Sequence, residues 1–350
     1  MGNSDVTNSI GKGENEMNKK LLGMLISIVV LVGILSGCGK KDAAEADKNE
    51  VKIGYFPNLT HIATIIGLEN NYFAEEFGED IKISTKTVSN GGLFMEAMAT
   101  DSIDIGTVGP GPVINYFVKD PKYHIVSGAV NGGAVLVASG HSGINELADL
   151  DGKKVAIPVI GSTQDIMLRK ALQEVDLKAK TNGGTVDLFA AAPADTATLF
   201  IQKSVDAAAT QEPWGYILQN QAGGKLLLDW EDFAWGKEST NTVVATSEGF
   251  LQNKELLTAY LKAHARAVQF VRDEPEEAQA LVVKHIKELT GKELDKAELE
   301  AAFSRIEVTT EVNEEVLQEM ADISQEADYI KTNDIDGLID LNALKGITGK

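Results

Sequence analysis

The stretch SIDIGTVGPGP (Ser102–Pro112) runs an alternating apolar segment straight into a cluster of glycines and prolines, and SVDAAATQEPWG (Ser204–Gly215) repeats the plan. Alternation of apolar side chains is the mark of a strand. The Gly/Pro cluster stops the strand, and a proline at the start of the next segment favours a helix beginning there. Aligning Ser102 with Ser204 sets Asp104 on Asp206, and LFMEAMATD falls opposite DTATLFIQK. Two copies of one strand–loop–helix unit predict two lobes of similar topology.

Working outward from the first copy, VKIGYF (51–56), DIKISTKTV (80–88) and IDIGTV (103–108) read as strands. HIATIIGLENNYF, LFMEAMAT and PVINYFV (112–118) read as the helices between and after them, and HIVSGAV and AVLVAS as further strands. Around the second copy, KKVAIPVI (153–160), TVDLFAAA (185–192) and VDAAAT (205–210) are strands. IMLRKALQEV, TATLFIQK and a helix from Pro213 through Leu218 alternate with them, and KLLLDW and NTVVAT close the series. This rhythm predicts an α/β class, with parallel sheets covered by helices. From Asn253 the pattern becomes helical only. Asn253 is the N-cap of a helix whose stripe is Leu257, Leu261, Val268 and Val271, with His264 along the same side. The helical C-terminal third is expected to return to the first lobe.

The ends carry different information. Met17-Asn18-Lys19-Lys20 followed by the apolar run Leu21 to Gly37 has the make-up of a secretory signal, with Met17 the expected natural start and residues 1–16 outside it. The run closes on Leu35-Ser36-Gly37-Cys38-Gly39, which resembles the bacterial lipobox and marks Cys38 for lipidation. Cys38 is the only cysteine, which excludes an internal disulfide and a cysteine metal site. GKKDAAEADKNE, to Glu50, has no large apolar residue and reads as a tether. The chain has 52 acidic and 32 basic residues and a net charge of −20, against nucleic-acid binding. An anionic ligand is still compatible, because a pocket's field is set locally by backbone dipoles.

Ligands of parallel α/β sheets sit beyond the carboxyl ends of the strands, where loops lead into helix N-termini and their free N–H groups attract anions. Four loops qualify: Pro57 to His61, Ser89 to Gly92, Gly109 to Gly111, and Gly161 to Thr163. None holds an Arg or Lys, although Arg169 could reach from the following helix. The loop Gln211-Glu212-Pro213-Trp214 differs, with a carboxylate for an ammonium group and an aromatic wall, or a dipole-stabilised acid and a packing residue. No P-loop, G-x-S-x-G or H-E-x-x-H motif occurs, and the five histidines lack metal-ligand spacing, so neither an enzyme nor a cofactor or metal is expected.

With the loops placed, GYFPNLTHIATIIGLENNYF (54–73), GGLFMEAMATDSIDIGTVGPGP (91–112), LADLDGKKVAIPVIGSTQDIMLRKAL (147–172) and VDAAATQEPWG (205–215) resemble the solute-binding proteins of ABC importers, in the nitrate/sulfonate/taurine branch. The resemblance implies a two-lobed type II periplasmic-binding-protein fold with a helical C-terminal segment. Its implied parts are a signal peptide at 17–37, a tether at 38–50, one lobe from 51–136 with 243–350, and the other from 137–242. Hinge strands are implied near 134–139 and 242–247. It further implies a lipid-anchored monomer on the extracytoplasmic face of the membrane, delivering a small anion to a permease with its ATPase subunit. The implied ligand-facing residues are Thr60, His61, Asn90, Gly91, Gly92, Gly109, Pro110, Ser162, Thr163, Gln164, Glu212 and Trp214. An alkanesulfonate or taurine is the expected ligand, with nitrate, bicarbonate or a thiamine-pyrimidine precursor as alternatives. A pyrimidine-synthase-like enzyme is the reading from another class, and having Cys38 as the sole cysteine argues against it.

Overall fold

A computed structural model describes residues 49–291 and 296–349. The signal at 17–37, the tether up to residue 48 and Cys38 lie outside the described residues. Glu50, expected to end the tether, opens the first strand.

In chain order the strands are β1 (Glu50–Tyr55), β2 (Lys82–Thr87), β3 (Ile105–Val108), β4 (Tyr123–Gly132), β5 (Ala134–Ser139), β6 (Lys154–Ile157), β7 (Asp187–Ala190), β8 (Ala207–Gln211), β9 (Gly224–Leu228), β10 (Thr240–Ser247) and β11 (Ile306–Val308). They form two sheets, β11-β4-β10-β3-β1-β2 and β7-β6-β8-β5-β9. The inner strands of each sheet are buried on both faces, which is why β3, β5 and β8 consist wholly of buried residues, while the edge strands β2 and β7 are partly exposed.

The repeated Ser-x-Asp plan has a physical counterpart. Asp104 Oδ2 accepts the Lys52 N–H at the start of β1, and Asp206 Oδ2 accepts the Lys154 N–H at the start of β6, both at 2.8 Å. In each lobe the aspartate lies 52 residues after its donor. The same pair also exchanges the backbone bond back, Asp104 N to Lys52 O and Asp206 N to Lys154 O. The motif therefore fastens the third strand of each lobe to the first.

Two expectations need correcting. The sheets are mixed rather than parallel. β1, β2 and β3 run parallel, as do β6, β7 and β8, but β10 is antiparallel to β3 and β4, and β5 is antiparallel to β8 and β9. The antiparallel members enter where the chain crosses between sheets, and such a crossing reverses direction instead of looping back through a helix. The C-terminal third is also not wholly helical. Ile306–Val308 forms β11 on the edge of β4, pairing Ile306 with Gly132 and Val308 with Val130. Three residues are too few to show alternation, and this strand takes its order from the edge it covers.

The helix Lys254–Asp273 buries Leu257, Leu261, Val268 and Val271 as expected, and Asn253 Oδ1 caps it by accepting from Leu256 N–H at 3.2 Å. His264 is fully buried, and one ring nitrogen, Nε2, lies 2.9 Å from Gly128 O. Burial pulls its pKa down to about 4, so the ring is neutral.

The chain crosses from the first sheet to the second at Gly132–Gly133 and returns through residues 229–239. Both glycines are left-handed, at φ 71° and 73°, a conformation that a side chain would strain. Gly133 N–H donates to Arg305 O at 2.7 Å, and Gly133 O accepts Glu212 N–H at 2.8 Å, so this crossing is tied to both lobes.

Candidate functional site

Three helices point their N-termini into the gap between the sheets. Gly91–Ala99 is capped by Asn90, whose Oδ1 accepts Leu93 N–H at 3.0 Å. Pro110–Phe117 begins after Gly109 with Pro110 in its first turn, where a missing N–H costs nothing. Thr163–Gln173 comes from the other lobe and is capped by Ser162, whose Oγ accepts Asp165 N–H at 3.3 Å.

Between them is a polar chamber lined by Thr60, His61, Asn90, Gly91, Gly109, Ser162, Thr163 and Gln164, joined by Phe56, Ser89, Gln211 and Asn241 among others. Water centres have about 20 Å³ there, just above what one water needs, so the lobes stand nearly shut. Closure brings Gly111 N–H to within 3.2 Å of Thr163 Oγ1, and Asn115 Nδ2 to 3.1 Å from Gly161 O. A Cβ on Gly109 would stand 2.4 Å from Thr163 Oγ1, so glycine is required there by the approach of the other lobe.

The donors can be followed atom by atom. Thr163 Oγ1 and Ser162 Oγ each accept a backbone N–H, which leaves their own protons to donate. Asn241 Oδ1 accepts from Gln164 Nε2 at 3.1 Å, while Asn241 Nδ2 is buried with no partner. Gln211 Oε1, an acceptor rather than a donor, is also buried and unpartnered. Thr60 is less useful to an anion, because its hydroxyl donates to Asn58 Oδ1 at 2.8 Å. The His61 ring lies 2.8 Å from Thr107 Oγ1 through Nδ1, and burial lowers its pKa to about 3. It therefore brings a neutral imidazole and no cation.

Four expected residues lie outside this chamber. Gly92 faces Val159 across the seam between the lobes, and Pro110 sits inside its helix start. Trp214 lines an adjoining space of about 110 Å³ with Pro57, Asn58, Val88, Pro193 and Gln211, and belongs to the same buried cluster as Tyr55, Leu59 and Val130. Ser89 and Gln211 border both spaces, so the second is an apolar annex to the first. Glu212 is fully buried and turned to the crossing, where its Oε1 accepts from Arg305 Nη1 at 2.7 Å and its Oε2 from Tyr216 N–H at 3.0 Å. Burial raises its pKa while Arg305 and the Tyr216 bond oppose the shift. Arg169, which the sequence allowed to reach the ligand, is held instead by Asp165, Asn182 and Tyr329. Asn241 was not singled out by sequence, since a strand-borne amide carries no loop signature, and Gln211 was named only as the start of the loop to Trp214; their place on the crossing strand β10 and at the end of β8 was the available clue.

The profile of the NMT1-like family matches residues 44–287. The chain belongs to that family. Among relatives of this NMT1-like chain, a protein of Bacillus subtilis (strain 168) named for binding aliphatic sulfonates is 27% identical over 325 residues, covering 91% of this chain and 92% of the relative. A protein of Brucella abortus (strain 2308), named as a binding protein, is 28% identical over 264 residues, covering 73% and 76%. The alkanesulfonate-binding protein from Xanthomonas axonopodis pv. citri, solved with MOPS bound, superposes with a TM-score of 0.70 at 19% identity over 84% of this chain and 99% of its own. The periplasmic nitrate-binding protein from Synechocystis PCC 6803 gives 0.68 at 14% identity over 86% and 88%. These likenesses establish the two-lobed periplasmic-binding fold.

Proposed function

We propose that this chain is the solute-binding component of an ABC importer, capturing a small organic anion between its lobes, with an alkanesulfonate ahead of taurine. The observation that carries the reading is the pairing of a neutral, donor-rich chamber with an apolar annex. Several hydroxyl, amide and helix-terminal dipoles stabilise a permanently ionised, weakly basic head without a fixed cation. The annex suits an uncharged tail. Among the described residues no carboxylate lines either space, and Glu212 is committed to Arg305, so a taurine ammonium finds no counter-charge. The relatives' names point the same way. Nitrate is the second reading, favoured by the small chamber alone, but it leaves the annex without a role.

The lobes are taken to change at the two crossings, with 50–132 and 240–349 in one and 134–239 in the other. The same reading makes the protein a lipid-anchored monomer acting outside the cell membrane, attached through Cys38 and serving a permease and its ATPase.

The test is a thermal-shift and calorimetry panel on the purified full-length chain: methanesulfonate, butane-1-sulfonate, taurine, nitrate, bicarbonate and a thiamine-pyrimidine precursor. Ligand bound only by the native state raises the melting temperature. Butane-1-sulfonate is expected to give the largest shift. A response to nitrate alone, or to none of the six, would sink the sulfonate reading.

A further inference from the structure

Asp165 belongs to the GSTQD segment yet does not line the chamber. It is fully buried, and its Oδ2 accepts Gly161 N–H at 2.7 Å, which shapes the loop carrying Ser162 and Thr163. Its Oδ1 accepts Arg169 Nε at 2.9 Å within the same helix. Tyr329 reaches this pair from the other lobe. The Tyr329 hydroxyl donates to Asp165 Oδ2 and accepts from Arg169 Nη2, each at 2.5 Å, and the guanidinium lies 4.9 Å from the Tyr329 ring centre.

Tyr329 is anchored mainly to the first lobe. Its neighbour Ile330 is buried in a cluster built mostly from that lobe, with Phe117, Tyr123 and Ile125, which also takes in Ile166 of the helix, and Ile339 bridges to Ile125 further on. The contact to Asp165 is thus one of those made when the lobes meet. Its chemistry suits a bond that must break in every cycle. If the lobes part, Asp165 keeps Arg169 and Gly161, so no buried charge loses its counter-charge, and the tyrosine hydroxyl is left to water.

We propose that Tyr329 is a positioning residue for ligand capture: a latch that holds the ligand-binding helix Thr163–Gln173 against the first lobe in the closed form without touching ligand. This rests on reading the protein as one that closes by a hinge. Apparent affinity falls by whatever factor the closed fraction of the unliganded protein falls. Losing a hydroxyl bonded to two charged groups lowers the closed-to-open ratio about tenfold, which bounds the loss of affinity and is read mainly as faster release.

The experiment is Tyr329→Phe in the full-length chain, with butane-1-sulfonate as probe. We expect weaker binding and faster release, by up to about tenfold, with the unliganded melting temperature lowered by no more than a few degrees. Lys170→Ala removes the exposed ion pair to Glu319 on the same seam and is expected to shift affinity less than about twofold. A second arm needs no ligand. Gly111 N–H stands in the first turn of its helix, without an intrahelical acceptor, and is bonded to Thr163 Oγ1 across the seam. Its amide exchange in the unliganded protein is expected to rise in Tyr329→Phe by the factor the open fraction grows, so that the loss of affinity and the rise in exchange multiply to about tenfold. A product near one, or an equal effect from Lys170→Ala, would overturn the latch. Failure of every sulfonate to bind refutes the proposed function instead; exchange at Gly111 that rises then keeps the latch, and unchanged exchange overturns it.

Discussion

The loop after β3 and the loop after β8 occupy the same place in their respective lobes, and they do opposite things. Gly109 and Gly111 present bare backbone to the seam, and the second lobe closes onto them at Thr163. The counterpart loop sends Gln211 to the chamber, Trp214 to the annex and Glu212 away from both, to the crossing. Equivalent positions in a repeated fold therefore need not share a task. A glycine loop yields to an approaching partner, whereas a loop with a buried carboxylate must be anchored. Arg305 is that anchor, bonding Glu212 at 2.7 Å and Asp229 at 2.8 Å while its carbonyl accepts Gly133 N–H.

Removing the anchor should have the largest consequence. Arg305→Met leaves Glu212 buried and unpaired, with an expected loss of about 3–5 kcal/mol in urea unfolding. A loss under about 1 kcal/mol would mean that the two loops are anchored alike.

Acid comes next, and it falls on the first lobe, which holds both deeply buried histidines. His61 and His264 have folded pKa values of about 3 and about 4 against 6.5 in model peptides. Between those values and 6.5 the unfolded chain binds more protons, so stability is complete above 6.5 and is lost as pH falls toward 4 and then 3. At pH 5 each histidine should account for roughly 2 kcal/mol of that loss. His264→Gln should shrink the pH 7 to pH 5 difference by about that amount. An undiminished difference would show that His264 is hydrated.

Gly109→Ala tests the yielding loop. Its backbone, at φ −67°, accepts alanine, so the unliganded protein should keep its stability. The added Cβ meets Thr163 only on closure, with an expected cost near 1–3 kcal/mol and affinity reduced about tenfold. Wild-type affinity would show that the seam can spread. The smallest effect belongs to the annex: Val88→Ala should reduce the preference for butane-1-sulfonate over methanesulfonate by about 1 kcal/mol in calorimetry.

The sequence read alone was informative wherever a residue's role is local. Apolar alternation, the cap at Asn253 and the Asp104/Asp206 repeat depend on near neighbours or one strand partner. Roles created by distant contact were not visible. Glu212 looked available for a ligand because Arg305, which neutralises it, comes 93 residues later. Tyr329 lies 164 residues from Asp165 and carries no motif. β11 was missed for the same reason, since its order comes from β4.

The way the two sheets recruit their strands also dictates an order of assembly. The second sheet is drawn from one continuous span, β5 through β9, residues 134–228. The first takes β10 and β11 from beyond that span, so β3 and β4 cannot gain those neighbours until residues 240–308 are present. A chain emerging from its N-terminus can therefore complete the second lobe while the first still shows open strand edges. During that interval the first lobe is the part exposed to mispairing, and the last segments to arrive seal it.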